Sequence, residues 1–268
     1  MVVYSRILIG YVDTEQGNDA LELGRIMAQA NQAELVISTV SDADDASLAD
    51  LARSEGADLV VLGSTHRGPL GRVVPGATVG HLLGEAPCAV AVAPPGFGHP
   101  ADGDLGWRPL SGNAEDVGMR VVGVGFDGSR AAHRALDVAT ELALANGAAL
   151  RVYAVARKYA HPPAADASGH VGGIPTEAES LREQLHEAVA YLPSEARALP
   201  VFLRGIPAVE LTTAIELGVD LLVLGSRPGG PIRRALHNSV SNAVLLETSC
   251  PVLIAPSRVS APDAALVG

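Results

Sequence analysis

The chain carries one segment twice, and that constrains its fold more than any other feature. ADLVVLGSTHRGPLGRVVPGATVGHLLGEAPCAVAVAP (57–94) aligns without a gap on VDLLVLGSRPGGPIRRALHNSVSNAVLLETSCPVLIAP (219–256), an offset of 162. Asp58 and Asp220, Gly63 and Gly225, Ser64 and Ser226, Gly68 and Gly230, Arg72 and Arg234, Cys88 and Cys250, and Pro94 and Pro256 are identical pairs. Self-similarity of this kind marks a structural unit used more than once. Upstream, ALELGRIMAQANQAELVISTV from Ala20 aligns on ALDVATELALANGAALRVYAV from Ala135, at an offset of only 115. The difference, 162 minus 115, means that the first copy lacks 47 residues present in the second.

The complete copy reads as strand 121–127, helix Ala131 to Asn146, strand 149–155, a Gly/Pro/His-rich loop (156–176) and helix Glu177 to Tyr191. It continues as strand 199–204, helix Ala208 to Leu217, strand 219–225, a glycine-rich loop, helix Ser239 to Thr248 and a last strand PVLIA. The helices repeat apolar residues at helical spacing, as Ala135, Leu136, Ala139, Leu142 and Ala143 do, while the strands are continuous apolar runs. Such runs fit a parallel sheet buried on both faces, and right-handed crossovers then place helices on both sides. The fold class expected is α/β, two doubly wound parallel-sheet domains of Rossmann-like type. The first copy resumes after SDADD at about Ala46, so it lacks the unit's second helix and third strand. The face this uncovers is expected to be covered by the partner domain or by another chain.

Between the copies, 94–118 is rich in Gly, Pro, Asp and Asn without a period, which is linker chemistry, with Trp107 as its anchor. The division expected is a shortened domain 1–94, linker 95–118, complete domain 119–257 and tail 258–268. The balance of 19 Lys+Arg against 30 Asp+Glu, a net charge of −11, opposes a nucleic-acid partner, and 3% aromatic residues leave few stacking platforms. No run is long and apolar enough for a membrane helix, and the first residues lack the pattern of an export signal, so a cytoplasmic location is expected. Cys88 and Cys250 open apolar strands and read as buried small hydrophobes.

In a doubly wound sheet, ligands bind beyond the carboxyl ends of the strands where the strand order reverses. Two strand ends carry candidate groups: VVGVGFDGS, finishing in Phe126, Asp127, Gly128 and Ser129, and VDLLVLG, finishing in Gly225 and running into SRPGGPIRRALHNSVS. The first offers a carboxylate, and the second a loop whose amides, with the amino end of the helix at Ser239, can cradle an anion. Arg227, Arg233 and Arg234 add positive charge there.

This loop resembles the nucleotide signature of the universal stress protein family: a glycine, two residues, a glycine, nine residues, then glycine and Ser or Thr. The resemblance spans nearly the whole chain twice. It implies a sheet order of 3-2-1-4-5, in which the strand missing from the first copy is an edge strand. It also implies an adenine-nucleotide site: Asp127 at the ribose, main chain near Ala154 at the adenine, and the loop with the following Ser at the phosphates. The residues implied are Phe126, Asp127, Ala154, Gly225, Ser226, Arg227, Gly230, Asn238, Ser239, Val240 and Ser241. ATP or another adenine nucleotide, with Mg as companion ion, is the cofactor expected, and no residues of a dedicated metal site are assigned. The second copy departs from the pattern at Pro228 and Asn238. The first departs further: Val12 takes the Asp position with Asp13 one place late, His66 the second glycine and Ala77 the Ser; Gly63 and Gly76 remain. A stress-response or regulatory module with its site in the second domain is the function implied.

Other readings stand beside it. Gly123, Gly125 and Gly128 fit G-x-G-x-x-G, but the first two lie inside a strand and no acid ends YAVARK, against a dinucleotide enzyme. No P-loop, G-x-S-x-G elbow or metal-ligand spacing appears, which leaves slow ATP hydrolysis with His66 or His237 as a minor alternative. A nucleotide-free scaffold is the other. The resemblance implies pairing through the last strands, 88–93 with 250–255, as a pseudo-dimer within the chain or as a homodimer between chains.

Overall fold

The computed structural model describes residues 4–39, 45–64, 66–67, 73–74, 82, 88–97, 119–157, 176–216, 218–226 and 240–256. The linker with Trp107 and the tail 258–268 lie outside the described residues. The first unit comprises β1 (Arg6–Tyr11), α1 (Glu15–Asn31), β2 (Glu34–Thr39), α2 (Asp45–Ser54), β3 (Leu59–Gly63), a short hairpin of β4 (His66–Arg67) and β5 (Val73–Val74), and β6 (Ala89–Ala93). The second comprises β7 (Val121–Gly125), α3 (Arg130–Asn146), β8 (Ala149–Arg157), α4 (Glu177–Ala190), β9 (Leu199–Gly205), α5 (Pro207–Glu216), β10 (Leu221–Gly225), α6 (Val240–Glu247) and β11 (Val252–Ala255).

Among the described residues, all strands but the hairpin form one nine-stranded sheet in the order β2-β1-β3-β6-β11-β10-β7-β8-β9. Within each unit the pairing is parallel. The second unit therefore has the order 3-2-1-4-5, and the first the same order without its third strand. The missing elements are the edge strand and the helix leading to it, so the centre of the first unit is intact.

The units join at β6 and β11, which pair antiparallel with Ala91 opposite Leu253. Those two residues are equivalent under the 162-residue repeat. Each flanking pair, Val90 with Ile254 and Val92 with Val252, exchanges under the same repeat, so the seam is a pseudo-two-fold contact inside one chain. It also sets Cys88 and Cys250 at opposite ends of the two strands, and both thiols are free.

Alternation explains both cores. Ile7, Ile9, Leu59, Val61, Val122, Val124, Leu221, Val223 and Leu253 point to the face carrying α1, α3 and Leu185 of α4. Leu8, Val60, Leu62, Leu222, Leu224, Val252 and Ile254 point to the face carrying α2, α5 and α6. Each cluster runs through both units.

Helix ends follow local chemistry. Thr14 and Ser129, equivalent residues, cap α1 and α3 by accepting from Gly17 N at 3.2 Å and Ala132 N at 3.2 Å. Both helices end in a left-handed residue, Gln32 with φ 54° and its equivalent Gly147 with φ 61°. Asp58 and Asp220 hold the starts of β1 and β7: Asp58 accepts from Ser5 N at 2.7 Å and Arg6 N at 3.1 Å, Asp220 from Arg120 N at 2.7 Å and Val121 N at 2.8 Å.

One expectation about cover is corrected. The uncovered flank of the first unit lies at β2, the end of the sheet farthest from the second unit, so the partner domain does not reach it. Ile37 of β2 is 53% exposed, whereas its equivalent Val152 in β8 is fully buried.

Candidate functional site

The carboxyl ends of β7 and β10 are adjacent and the order reverses between them, since β7 leads to β8 on one side and β10 on the other. Phe126 extends the ladder beyond β7 by donating its N–H to Tyr153 O at 2.8 Å. Its ring turns inward and meets His133 edge-on, with centroids 5.0 Å apart. Alternation then sends Asp127 outward, where the side chain is exposed and Oδ1 accepts from Ser129 N at 3.0 Å. This Asx turn fixes the carboxylate beside the amino end of α3. Gly128 completes the turn at φ 75°, a conformation that disfavours a side chain.

Gln184 of α4 closes over this turn: a Cβ on Gly128 would run into its amide oxygen, and its Nε2 donates to Ser180 Oγ at 3.1 Å. No sequence signal singled out Gln184, because only the tertiary path of α4 brings it there. The first unit has no counterpart of that helix.

Gly225 ends β10, and there the main chain of α3 presses on the strand. A Cβ at Gly225 would collide with the carbonyl oxygen of Ala131. Gly63 shows the same approach to Gln16 of α1, at equivalent positions. These glycines therefore have a packing role that needs no ligand. Ser226, partly buried, donates its N–H to Ala255 O at 3.0 Å, and Ser241 Oγ lies 3.5 Å from Gly225 O, linking α6 to the end of β10. Val240 opens α6 and is partly exposed. Arg227, Pro228, Gly230, Arg233, Arg234, His237, Asn238 and Ser239 lie outside the described residues, as do Gly76 and Ala77.

Ala154 is placed differently from the expectation. β8 runs three residues further, to Arg157, and Ala154 is fully buried. Tyr153 gives its backbone groups to β7, so alternation turns those of Ala154 toward β9, where it pairs with Phe202. On the β7 side, the next outward-facing main-chain groups are those of Val155.

In the first unit, β1 and β2 run in unbroken register to Tyr11 opposite Thr39, with no bulge. Val12 thus stands at the place of Asp127, and Asp13 turns back to within 3.4 Å of Tyr11 Oη. A buried acid, Asp19, accepts from Gly96 N at 2.9 Å in the turn after β6; its equivalent in the second unit is the exposed Arg134. Because β6 and β11 are antiparallel, the carboxyl edges of the two units face opposite ways, and the first unit's hairpin lies with β5 against α6 of the second.

Gly123 and Gly125 lie within β7, and β8 ends in Arg157, not in an acid, which is the wrong placement for a dinucleotide fingerprint. Among the described residues no group of three or more His, Cys, Asp or Glu is arranged to hold a metal ion, and no helix is long and apolar enough to cross a membrane.

The family model described as "Universal stress protein family" matches residues 39–94 and 119–256. A universal stress protein encoded in the QAH/OAS sulfhydrylase 3' region of Thermus aquaticus is 34% identical over 144 residues, covering 51% of this chain and 98% of that protein. Several solved structures match over more than 90% of both chains. A universal stress protein from Archaeoglobus fulgidus DSM 4304 is 13% identical, with TM-score 0.62, 95% of this chain covered and 96% of that one. A functionally unknown protein from Pseudomonas aeruginosa PAO1 is 19% identical, with TM-score 0.65, 94% of this chain covered and 92% of that one. With its two matching segments and its doubled doubly wound sheet, this chain belongs to the universal stress protein family.

Proposed function

We propose that the chain is a cytoplasmic tandem module that binds one adenine nucleotide, ATP by preference, in its second unit, and that the first unit serves as a structural partner. The units are 1–94 and 119–257, joined by 95–118, with 258–268 as a tail. The observation that carries the reading is the Asp127 turn: an outward carboxylate, held by Ser129 N–H at 3.0 Å, at the point where the strand order reverses. A carboxylate there suits the two hydroxyls of a ribose, which donate to it as a pair. The main-chain groups of Val155, turned toward the β7 side beyond the end of that strand, suit a base that both donates and accepts. The phosphates fall to Arg227, Gly230, Asn238 and Ser239, with Ser226, Val240 and Ser241 anchoring the ends of that loop and Mg neutralising remaining charge. In the first unit Val12 supplies no acceptor at the place of Asp127, which supports an empty first site.

The test is calorimetry with ATP on the full chain and on Asp127→Ala, preceded by mass analysis of small molecules released on denaturation. ATP binding that falls at least about tenfold in the variant, a loss of about 1.4 kcal/mol, supports the reading. No released nucleotide and no binding at millimolar ATP overturn it.

A further inference from the structure

The two ends of the sheet are guarded unequally. β9 contains Pro200, which has no N–H to offer a new strand, and Arg182 lies over the Phe202 ring at 4.6 Å. β2 has no proline, no lysine and no bulge, and among the described residues it pairs only with β1. Its one charge, Glu34, sits at the strand's first residue and is paired with Arg6 at 2.7 Å. Ile37 stands exposed on the flank where the second unit has α4 and β9. The strands that the resemblance reserves for dimerisation, β6 and β11, are already joined to each other within the chain. A second copy would therefore have to use another surface.

We propose that this surface is β2, which pairs antiparallel with β2 of a second copy about a two-fold axis beside Ile37. The chain already joins its own halves by antiparallel strand pairing at the β6 and β11 seam, and the same contact made between two β2 edges closes on itself. Pairing of β2 with β9 of another copy would be head to tail and open-ended, and β9 is the guarded edge. Opposed residues must share a face, which restricts the register. The register that sets Ile37 against the second copy's Ile37 also sets Leu35 against Thr39 and Val36 against Ser38. It joins the exposed apolar side chains, opposes no like charges and leaves Glu34 outside with Arg6. The net charge of −11 on each chain works against association, so the dimer strengthens as salt screens that repulsion.

Sedimentation velocity on the full chain over a concentration series in high salt tests this, with Ile37→Lys and, as control at the other edge, Leu199→Lys. The expected result is a dimer for the wild type and Leu199→Lys, and self-association weakened at least about tenfold in Ile37→Lys, with its thermal midpoint equal to the wild type's at concentrations low enough for both to be monomeric, as befits an exposed position. In a Cys88→Ala background, Ile37→Cys should form a covalent dimer under mild oxidation, because opposed residues of paired strands lie within disulfide reach. A wild type that stays monomeric, its flank bare or covered by its own linker, overturns the proposal. So does a dimer indifferent to Ile37→Lys, or one that Ile37→Cys fails to cross-link.

Discussion

Single residues show how the two copies diverged in energy as well as in length. Gln32 holds a left-handed conformation that its equivalent Gly147 adopts without a Cβ. Gln32→Gly should therefore stabilise the chain by about 0.5–1 kcal/mol, and Gly147→Ala should destabilise it by a similar amount, read from denaturant midpoints. Gly225 faces the carbonyl of Ala131, so Gly225→Ala should lower stability by about 1–3 kcal/mol with no nucleotide present. An unchanged midpoint would return that glycine to a purely ligand-binding role. The sequence marked Gly225 through its place in a motif, but the helix that presses on it comes from nearly a hundred residues upstream, and no pattern encodes that approach. Asp127 stood out because an acid directly after an apolar strand run is a local feature, whereas its place at the reversal of strand order came only with the resemblance. Gln184 was not, since only the path of a helix brings it to Gly128.

At the scale of elements, the repeat made most of the architecture readable. Unbroken apolar runs gave the strands, and the difference between the two offsets located the missing helix and edge strand. Pairing through the last strands followed from the resemblance, within the chain or between chains, whereas its antiparallel form inside one chain and its register, with Ala91 opposite Leu253, needed the structure. Leu253 is fully buried there, so Leu253→Asp should unfold the seam, lowering stability by more than about 3 kcal/mol and disordering both units together. A variant in which one unit melts while the other keeps its midpoint would show that the units are independent. Asp220→Ala tests a smaller joint: it leaves the amides of Arg120 and Val121 without their acceptor and should lose about 1–3 kcal/mol. What the sequence could not show was that β2 faces away from the second unit. Its position follows from strand order, and the linker composition does not specify on which side the next unit joins.

Apart from the β4–β5 hairpin, the described strands form a single sheet with two opposed carboxyl edges, and titration reflects burial on both sides of the seam. Burial raises the thiols of Cys88 and Cys250 to about 12 and pushes Tyr4 upward as well. Groups whose folded values are raised leave stability intact below their unfolded values. That stability is lost as the pH rises past the unfolded thiol value of 9.0, where only the unfolded chain ionises freely. Urea midpoints should hold to about pH 9 and fall above it, and neither thiol should alkylate in the folded chain at about pH 8. The central claim is unequal doubling: two related units, one nucleotide. Equilibrium binding of labelled ATP to the full chain, to Asp127→Ala and to Val12→Ala measures it directly. One nucleotide per chain, lost in the first variant and kept in the second, is the predicted result; two per chain, or binding indifferent to Asp127, would contradict it.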